Sequence, residues 1–460
     1  MSAEAESEGG GGVPAGVVRG HPRVQALVAV YTFSNFGSAV AMLAFSFVSY
    51  IITGSLMATV VIMAASALPA LVLMRPATRL TLRYDLRWAC GWLAMLKAAL
   101  FIVAGALLDL GYLSFWLLLT TSLLNGILGA FIFPAWNDFV REIAPGGRVA
   151  ALDSVLMSLS AIAGIFGVLV GGLMLDAWGP GSLFLLNGIT YVIYVIPFSL
   201  FPEVRAAPRG QGRTSVREAF GVVRDADVLR NFVIIAVVVQ LVAWPLLNLL
   251  PQISTGIGTS AVIFSLLLSS VYAGMALVAP ILSFREKKYS PWHIAVVALI
   301  ILMIAMALVA AVPVLSEGIR LVVLMVVLVP LGMALNMTSV LTGAAVQSGA
   351  PQEQEAEVLA LYSAIITVVA PVGALIITGV ADAWSLQIAV LVEAIGIGAL
   401  LAYLASPRAR GNLKTVLSSR RGLVAHHAWR GAVGRNLPGD LEPVRRIERD
   451  PVISGGPQGA

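Results

Sequence analysis

Charge is what this chain has least of. Only 12% of its 460 residues are Asp, Glu, Lys or Arg, against 59% hydrophobic residues. Soluble globular chains carry roughly 25% charged residues, and a mean hydropathy of +0.92 excludes an ordinary soluble domain. Cysteine is almost absent too: Cys90 stands alone, so no intrachain disulfide can form. The four histidines, His21, His293, His426 and His427, show no metal-ligand spacing with Cys90 as partner. No P-loop and no G-x-S-x-G turn occurs. These lacks argue against a P-loop ATPase, a serine hydrolase and a metalloenzyme, so the expectation is a non-enzyme without metal or cofactor. Residues 1–20 are acidic and Gly-rich and do not read as a signal peptide.

What the chain does have is long apolar runs. About 20 apolar residues in a helix cross a hydrocarbon core of about 30 Å, and unbroken runs mean helices rather than barrel strands. Twelve spans are expected: 24–49, 56–74, 88–108, 113–133, 152–174, 181–200, 231–252, 259–283, 292–312, 319–345, 357–380 and 386–405. The fold class is therefore an all-α membrane protein in two six-helix halves, 24–200 and 231–405. A disordered arm (1–23) precedes them, a polar loop (201–230) joins them, and a basic tail (406–460) follows.

The basic residues sort by side. With the N-terminus inside, the inner loops take Arg19, Arg23, Arg75, Arg79, Arg83, Arg87, Arg141, Arg148, the arginines from Arg205 to Arg230, then Arg285, Lys287 and Lys288, and every cation of the tail. The outer loops take only Arg320. The glutamate-bearing inner loop Gln347–Glu357 is the one exception. Cytoplasmic loops carry the Lys/Arg excess, so both termini are expected in the cytoplasm. The tail arginines suit anionic lipid headgroups rather than nucleic acid.

The halves repeat. Val155-Leu156 and Ser160-Ala161-Ile162 match Val358-Leu359 and Ser363-Ala364-Ile365, and Asp176-Ala177-Trp178 matches Asp382-Ala383-Trp384. The two matches differ in offset by three residues, which implies one small insertion. Parallel six-helix repeats characterise transporters that rock one half against the other about a central site.

Over residues 24–405 the chain resembles the major facilitator superfamily, and more narrowly its bacterial multidrug, macrolide and siderophore exporters. The superfamily's loop between helices two and three reads G-x-x-x-D-R-x-G-R-R, often with Asp for the second Gly in this branch. Arg83, Asp85 and Arg87 match it, with Arg79 beside them. Thr78, Leu82 and Leu86 depart from it, and the acidic residue lost at Leu82 implies altered gating. Phe133-Pro134-Ala135 and Val140 to Pro145 resemble the branch's entry to helix five. Gly167, Gly171 and Gly172 resemble the exporter pattern G-P-x-x-G-G on that helix, and Pro371 and Gly373 stand in its counterpart, helix eleven. Small residues at this spacing also let helix backbones approach closely.

The resemblance implies that helices one, four, seven and ten line a central cavity. Each carries an asparagine: Asn35, Asn125, Asn248 and Asn336. Tyr31, Asn35 and Ser38 share one face of helix one, and Gln240, Trp244 and Asn248 one face of helix seven. Such stripes face a neighbouring helix or a water-filled cavity rather than lipid. Ser38 stands where many relatives carry the aspartate of the proton step. Away from the span ends, the ionisable residues are Lys97, which can snorkel, and Glu393, a candidate proton carrier beside the alternative of simple neutralisation. The expected partners are a small-molecule substrate, the bilayer and protons. The expected function is proton-driven export of an amphipathic organic compound across the bacterial cytoplasmic membrane. Uptake or facilitation of a small neutral metabolite, and a non-transporting scaffold, stand as alternatives.

Overall fold

In the computed structural model of the chain, the described residues are 20–145, 149–205, 216–278, 281, 291–351 and 354–406. The N-terminal arm to Arg19, the loop with Arg285, Lys287 and Lys288, and the tail beyond Ser406 lie outside them. Helices run α1 (Pro22–Thr53), α2 (Leu56–Arg83), α3 (Leu86–Asp109), α4 (Phe115–Ile143), α5 (Val149–Trp178), α6 (Pro180–Leu200), α7 (Leu229–Thr255), α8 (Ala261–Ala276), α9 (Pro291–Val314), α10 (Glu317–Gly349), α11 (Glu355–Ala383) and α12 (Leu386–Ala405). Among the described residues eleven of these are long and apolar enough to cross a membrane; α8 is apolar but shorter. We call the end of the bundle with the α2–α3 connection the inner end.

Local sequence sets the helix ends. Ser55, Asp85, Ser114, Ser260 and Ser385 cap α2, α3, α4, α8 and α12, each side chain accepting a first-turn N–H. Gly54 stops α1 at a φ of 62°, a conformation that costs glycine little. Four of the described spans are not plain α-helix: α6 and α9 end in 3-10 turns, Ile196–Leu200 and Val312–Val314. A π-turn interrupts α1 at Ala44–Val48 and α7 at Val239–Ala243, and Pro245, which has no N–H to give the preceding turn, follows the second.

One expectation is overturned here. The arginine-rich segment 75–83 is not loop: α2 continues through Pro69 and Pro76 to Arg83, leaving only Tyr84 and Asp85 between α2 and α3. Apolar length alone ends the span near residue 74, but a hydrogen-bonded helix has no reason to stop where its side chains become polar. In the central loop, a short amphipathic helix, Val216–Asp225, packs against the inner end of α11.

Packing repeats between the halves. α3 packs on α6 as α9 packs on α12, α2 on α4 as α8 on α10, and α1 on α5 as the π-turn of α7 packs on α11. Glycines mark the same contacts. A Cβ at Gly126 of α4 would lie 2.7 Å from Ser66 Cα of α2, and one at Gly332 of α10 would lie 2.8 Å from the Val271 carbonyl carbon of α8. Likewise Gly167 of α5 sits against the Phe36 carbonyl of α1, and Gly373 of α11 against Leu241 in the π-turn of α7. Small residues at these positions are what let the backbones touch.

The residue separation is the same for Gly126 and Gly332, for Gly167 and Gly373, and for Asp176 and Asp382. No insertion falls between them, so the Val155/Val358 match is three residues out of register and is fortuitous. Apolar helices of similar composition produce such short matches by chance.

Candidate functional site

A cavity of about 360 Å³ lies between the two halves, walled by α1, α2, α7, α8 and α11. Gln240, Trp244 and Asn248 face it together, so the α7 stripe is placed as its sequence spacing requires. Around them stand apolar and sulfur-bearing side chains: Met42, Met63, Phe264, Tyr272, Met275 and Pro371. Ser46 is the remaining hydroxyl, and no charged side chain lines the space. Both π-turns contribute, Ser46 from α1 and Gln240 from α7. Among the described residues the side-chain amides of Gln240 and Asn248 make no hydrogen bond, and Trp244 Nε1 is buried without a partner. Three unpaired polar groups in an otherwise apolar wall are costly unless water or a ligand meets them.

The other expected lining residues are elsewhere. Tyr31 stacks on Trp136 of α4, ring centroids 4.6 Å apart, inside the N-terminal half. Asn35 donates its amide to the Tyr31 carbonyl at 2.9 Å, one turn back on its own helix. Ser38 meets the Tyr191 hydroxyl of α6 at 3.4 Å. Asn336 donates to the Met275 carbonyl at 2.9 Å, tying α10 to α8. Asn125 is half-buried and lines none of the cavities described here. The asparagines of α1 and α10 are thus helix glue, and α8 and α11 take the wall expected of α4 and α10. Tyr272, Met63 and Met275 went unnoticed in the sequence because bulky apolar residues on a span carry no signal of cavity or lipid.

The two intramembrane ionisable residues do not meet; they are buried in opposite halves. Lys97 is 7% exposed and does not snorkel. Its Nζ donates to the Tyr191 hydroxyl at 3.4 Å and lies 5.2 Å from that ring's centre. Through Tyr191 it is one bond removed from Ser38. Glu393 is 0% exposed, and both its carboxyl oxygens lack a partner. One turn along α12, Gly396 rests against Val242 in the π-turn of α7.

The matched residues of the short α2–α3 connection form a clamp. Asp85 caps α3 by accepting the Arg87 N–H at 3.0 Å, pairs with the Arg87 guanidinium at 2.8 Å, and accepts the Val204 N–H at 3.2 Å. Arg87 also donates to the Phe201 carbonyl at 2.9 Å, and Leu86 N–H to Val204 O at 2.8 Å. The connection is thereby pinned to the end of α6, within its own half. Arg79 and Arg83 are exposed on the last turns of α2, and the side chains of Thr78 and Leu82 lie outside the described residues.

Burial works to raise the Asp85 carboxyl, but the hydrogen bonds from Arg87 and Val204 outweigh it and hold the group below its ordinary value. A depressed carboxyl stabilises the fold at neutral pH and stops doing so as pH falls below the ordinary value of 3.8. Asp85→Ala should therefore lower thermal stability by about 1 kcal/mol at neutral pH, the usual cost of losing a cap. Melting curves across pH should show that gap closing in acid; a gap that persists there would mean the carboxylate is not its source.

The halves are joined towards the outer end. Asp176, at the end of α5, accepts hydrogen bonds from the Ser260 hydroxyl and, at 2.9 Å, from the Ala261 N–H at the start of α8. A carboxylate of one half thus sits at a helix N-terminus of the other, which favours negative charge. Below it, Gly172 packs against Ser265, Phe47 stacks on Phe264 at 5.2 Å, and Gly379 meets Met57. The counterpart Asp382 is exposed and has no hydrogen bond among the described residues.

This architecture has relatives. None of the curated proteins matches the chain in sequence. Among solved structures, nucleoside transporter NupG superposes with a TM-score of 0.66 at 11% identity, covering 84% of this chain and 99% of that one. D-xylose-proton symporter superposes with a TM-score of 0.65 at 15% identity, covering 84% and 98%. A bacterial homolog of the human lysosomal transporter Spinster, inward-facing and unoccupied, does so with a TM-score of 0.58 at 14% identity, covering 90% and 93%. In sequence, residues 27–374 match the Major Facilitator Superfamily. With six helices repeated about a central cavity and that match over most of its length, the chain belongs to the Major Facilitator Superfamily and is a multi-pass membrane transporter, not an enzyme.

Proposed function

We propose that this transporter exports an amphipathic organic compound, such as a drug, macrolide or siderophore, by alternating access driven by the proton gradient. The observation that carries the reading is the cavity wall: uncharged, rich in Met and aromatic side chains, with three unpaired hydrogen-bonding groups on α7. Sulfur and aromatic surfaces accept apolar bodies of varied shape, and a few placed polar groups orient them. The contacts between halves described above run from mid-span to the outer end, which fits a state closed outside and loaded from inside. The arginine distribution supports inner ends in the cytoplasm of a bacterial cell, against anionic lipids.

Proton coupling is assigned to Glu393. A carboxyl group with no partner in the membrane core is costly as an anion, so it favours a carried proton, and its neighbour Gly396 touches the turn of α7 that bears Gln240. The second reading, a facilitator or importer of a neutral metabolite, draws on Ser38: the α1 position bonds to Tyr191 and offers no carboxylate. D-xylose-proton symporter and nucleoside transporter NupG show that this fold also serves such cargo.

The test is accumulation of a panel of labelled lipophilic compounds in cells with and without the protein, each with and without a protonophore. Expression should lower accumulation of at least one compound, and the protonophore should abolish the difference. Glu393→Gln, which keeps the side-chain shape, should remove the protonophore-sensitive flux by about tenfold or more. Protonophore-insensitive flux favours the facilitator, and a panel that does not respond at all sinks the exporter reading.

A further inference from the structure

A second space opens behind the α7 stripe. It measures about 70 Å³ and lies between α7, α10 and α11. Gln240 and Trp244 wall both this side pocket and the central cavity, so the two spaces meet across those side chains. The rest of the polar wall is four hydroxyls: Thr338, Ser339, Thr342 and Tyr362.

The direction of those hydroxyl groups is set by the helices. Thr338 donates to the Ala334 and Leu335 carbonyls at 3.0 and 2.9 Å, and Ser339 to Leu335 at 3.0 Å. Thr342 donates to the Thr338 carbonyl at 2.8 Å and pairs with the Tyr362 hydroxyl at 3.1 Å. The protons of Thr338 and Ser339 are taken up by backbone, so the oxygens are left as acceptors. At the mouth, among the described residues, Trp244 Nε1–H is a buried donor without a partner and the Gln240 side-chain amide makes no hydrogen bond.

A group that satisfies this pocket must both donate and accept. A carbonyl only accepts and would leave the acceptor wall unmet. An ammonium only donates, leaves the indole N–H unpaired, and brings a charge to a site without a counter-charge. A hydroxyl does both. At about 30 Å³ per water-sized group, the volume suits two heavy atoms.

We infer that the side pocket of α7, α10 and α11 is a specificity subsite for a primary alcohol arm, CH2–OH, on cargo whose apolar body fills the central cavity. The inference rests on the central cavity being the cargo site, and the experiment separates the two. The purified full-length protein in nanodiscs is titrated calorimetrically with 3-phenylpropan-1-ol, propylbenzene and 3-phenylpropylamine, a matched set differing at one terminus.

The alcohol should bind about tenfold more tightly than either analogue, the worth of one or two buried hydrogen bonds. Simple partitioning into detergent or lipid would order alcohol and hydrocarbon the other way. Thr338→Val with Ser339→Ala should bring the alcohol down to the hydrocarbon's affinity and leave propylbenzene unchanged. Tyr362→Phe gives a milder version if that double variant folds poorly. Ala67→Trp, which fills the central cavity, should abolish binding of all three. Binding that ignores Ala67→Trp overturns the central site, and the subsite with it. Binding that is lost with Ala67→Trp, yet equal for alcohol and hydrocarbon, overturns the subsite alone. An alcohol preference that survives both hydroxyl variants does the same.

Discussion

Valine at position 172 should stop the transport cycle while leaving the bundle folded. A Cβ on Gly172 would stand 2.5 Å from Ser265 Cβ and 3.0 Å from the Ala261 carbonyl. Both belong to α8, across the boundary between halves, and the strain is relieved by moving the halves apart rather than by unfolding either. Overpacking costs typically about 1–3 kcal/mol, which shifts a two-state equilibrium by about 5- to 150-fold away from the outer-closed state. Asp176→Asn should push the same way but less, since its one amide oxygen keeps one of the two hydrogen bonds to α8 while the other bond and the charge at the α8 N-terminus are lost.

Gly167→Val and Gly373→Val are the controls. Their Cβ atoms would meet Phe36 O at 2.5 Å and Leu241 Cα at 2.7 Å, backbone within the same half. They should lower the melting temperature instead. Distances between spin labels at Trp178 and Gly258, flanking the α5–α8 contact, report the equilibrium directly. An unchanged distance distribution and undiminished flux in Gly172→Val would show that this contact does not govern closure.

Removing the α7 stripe should be the largest effect on cargo affinity. Gln240→Leu with Asn248→Leu keeps the side-chain volume and takes away two hydrogen-bonding groups; Trp244→Phe removes the third. Each lost hydrogen bond to a bound ligand costs about 0.5–1.5 kcal/mol, so the combined triple variant should raise the KM for a transported compound by about 10- to 1,000-fold. Maximal flux should change less, because closure is made at the outer end by other residues. Asn35→Leu and Asn336→Leu should behave differently. Their amides are bonded to the Tyr31 and Met275 carbonyls, so they should lower stability by about 1 kcal/mol with KM nearly unchanged. Flux measured against concentration separates the two sets. A KM that rises as much for Asn35→Leu as for the stripe would return the site to α1.

The spans, the six-and-six division and the closest helix contacts were legible because each rests on a local property. Apolar length gives a crossing, Ser and Asp give its start, and Gly gives a close approach, as at Gly167 and Gly373. The α7 stripe was legible for the same reason: Gln240, Trp244 and Asn248 follow helical spacing through the π-turn and still share a face. What failed depended on relations between helices. Asn35 and Asn336 look like Asn248 in sequence, and only the neighbouring backbone decides which amide is already occupied. The extension of α2 through Arg79 was hidden because hydropathy marks the edge of the membrane, not the end of hydrogen bonding. The Val155/Val358 register needed the glycine contacts on either side to expose it.

The two halves share a shape but not a fastening. Asp176 holds α8, while its twin Asp382 is exposed, makes no hydrogen bond among the described residues, and stands at the edge of an apolar seam between α2 and α11. A door latched along one edge and merely pressed shut along the other does not slide open evenly. It gives way first along the pressed edge, and the latched edge acts as the pivot. For this protein that means the outer ends of the two halves should part first along the apolar α2–α11 seam, with the Asp176 hydrogen bonds on the α5–α8 flank the last to break.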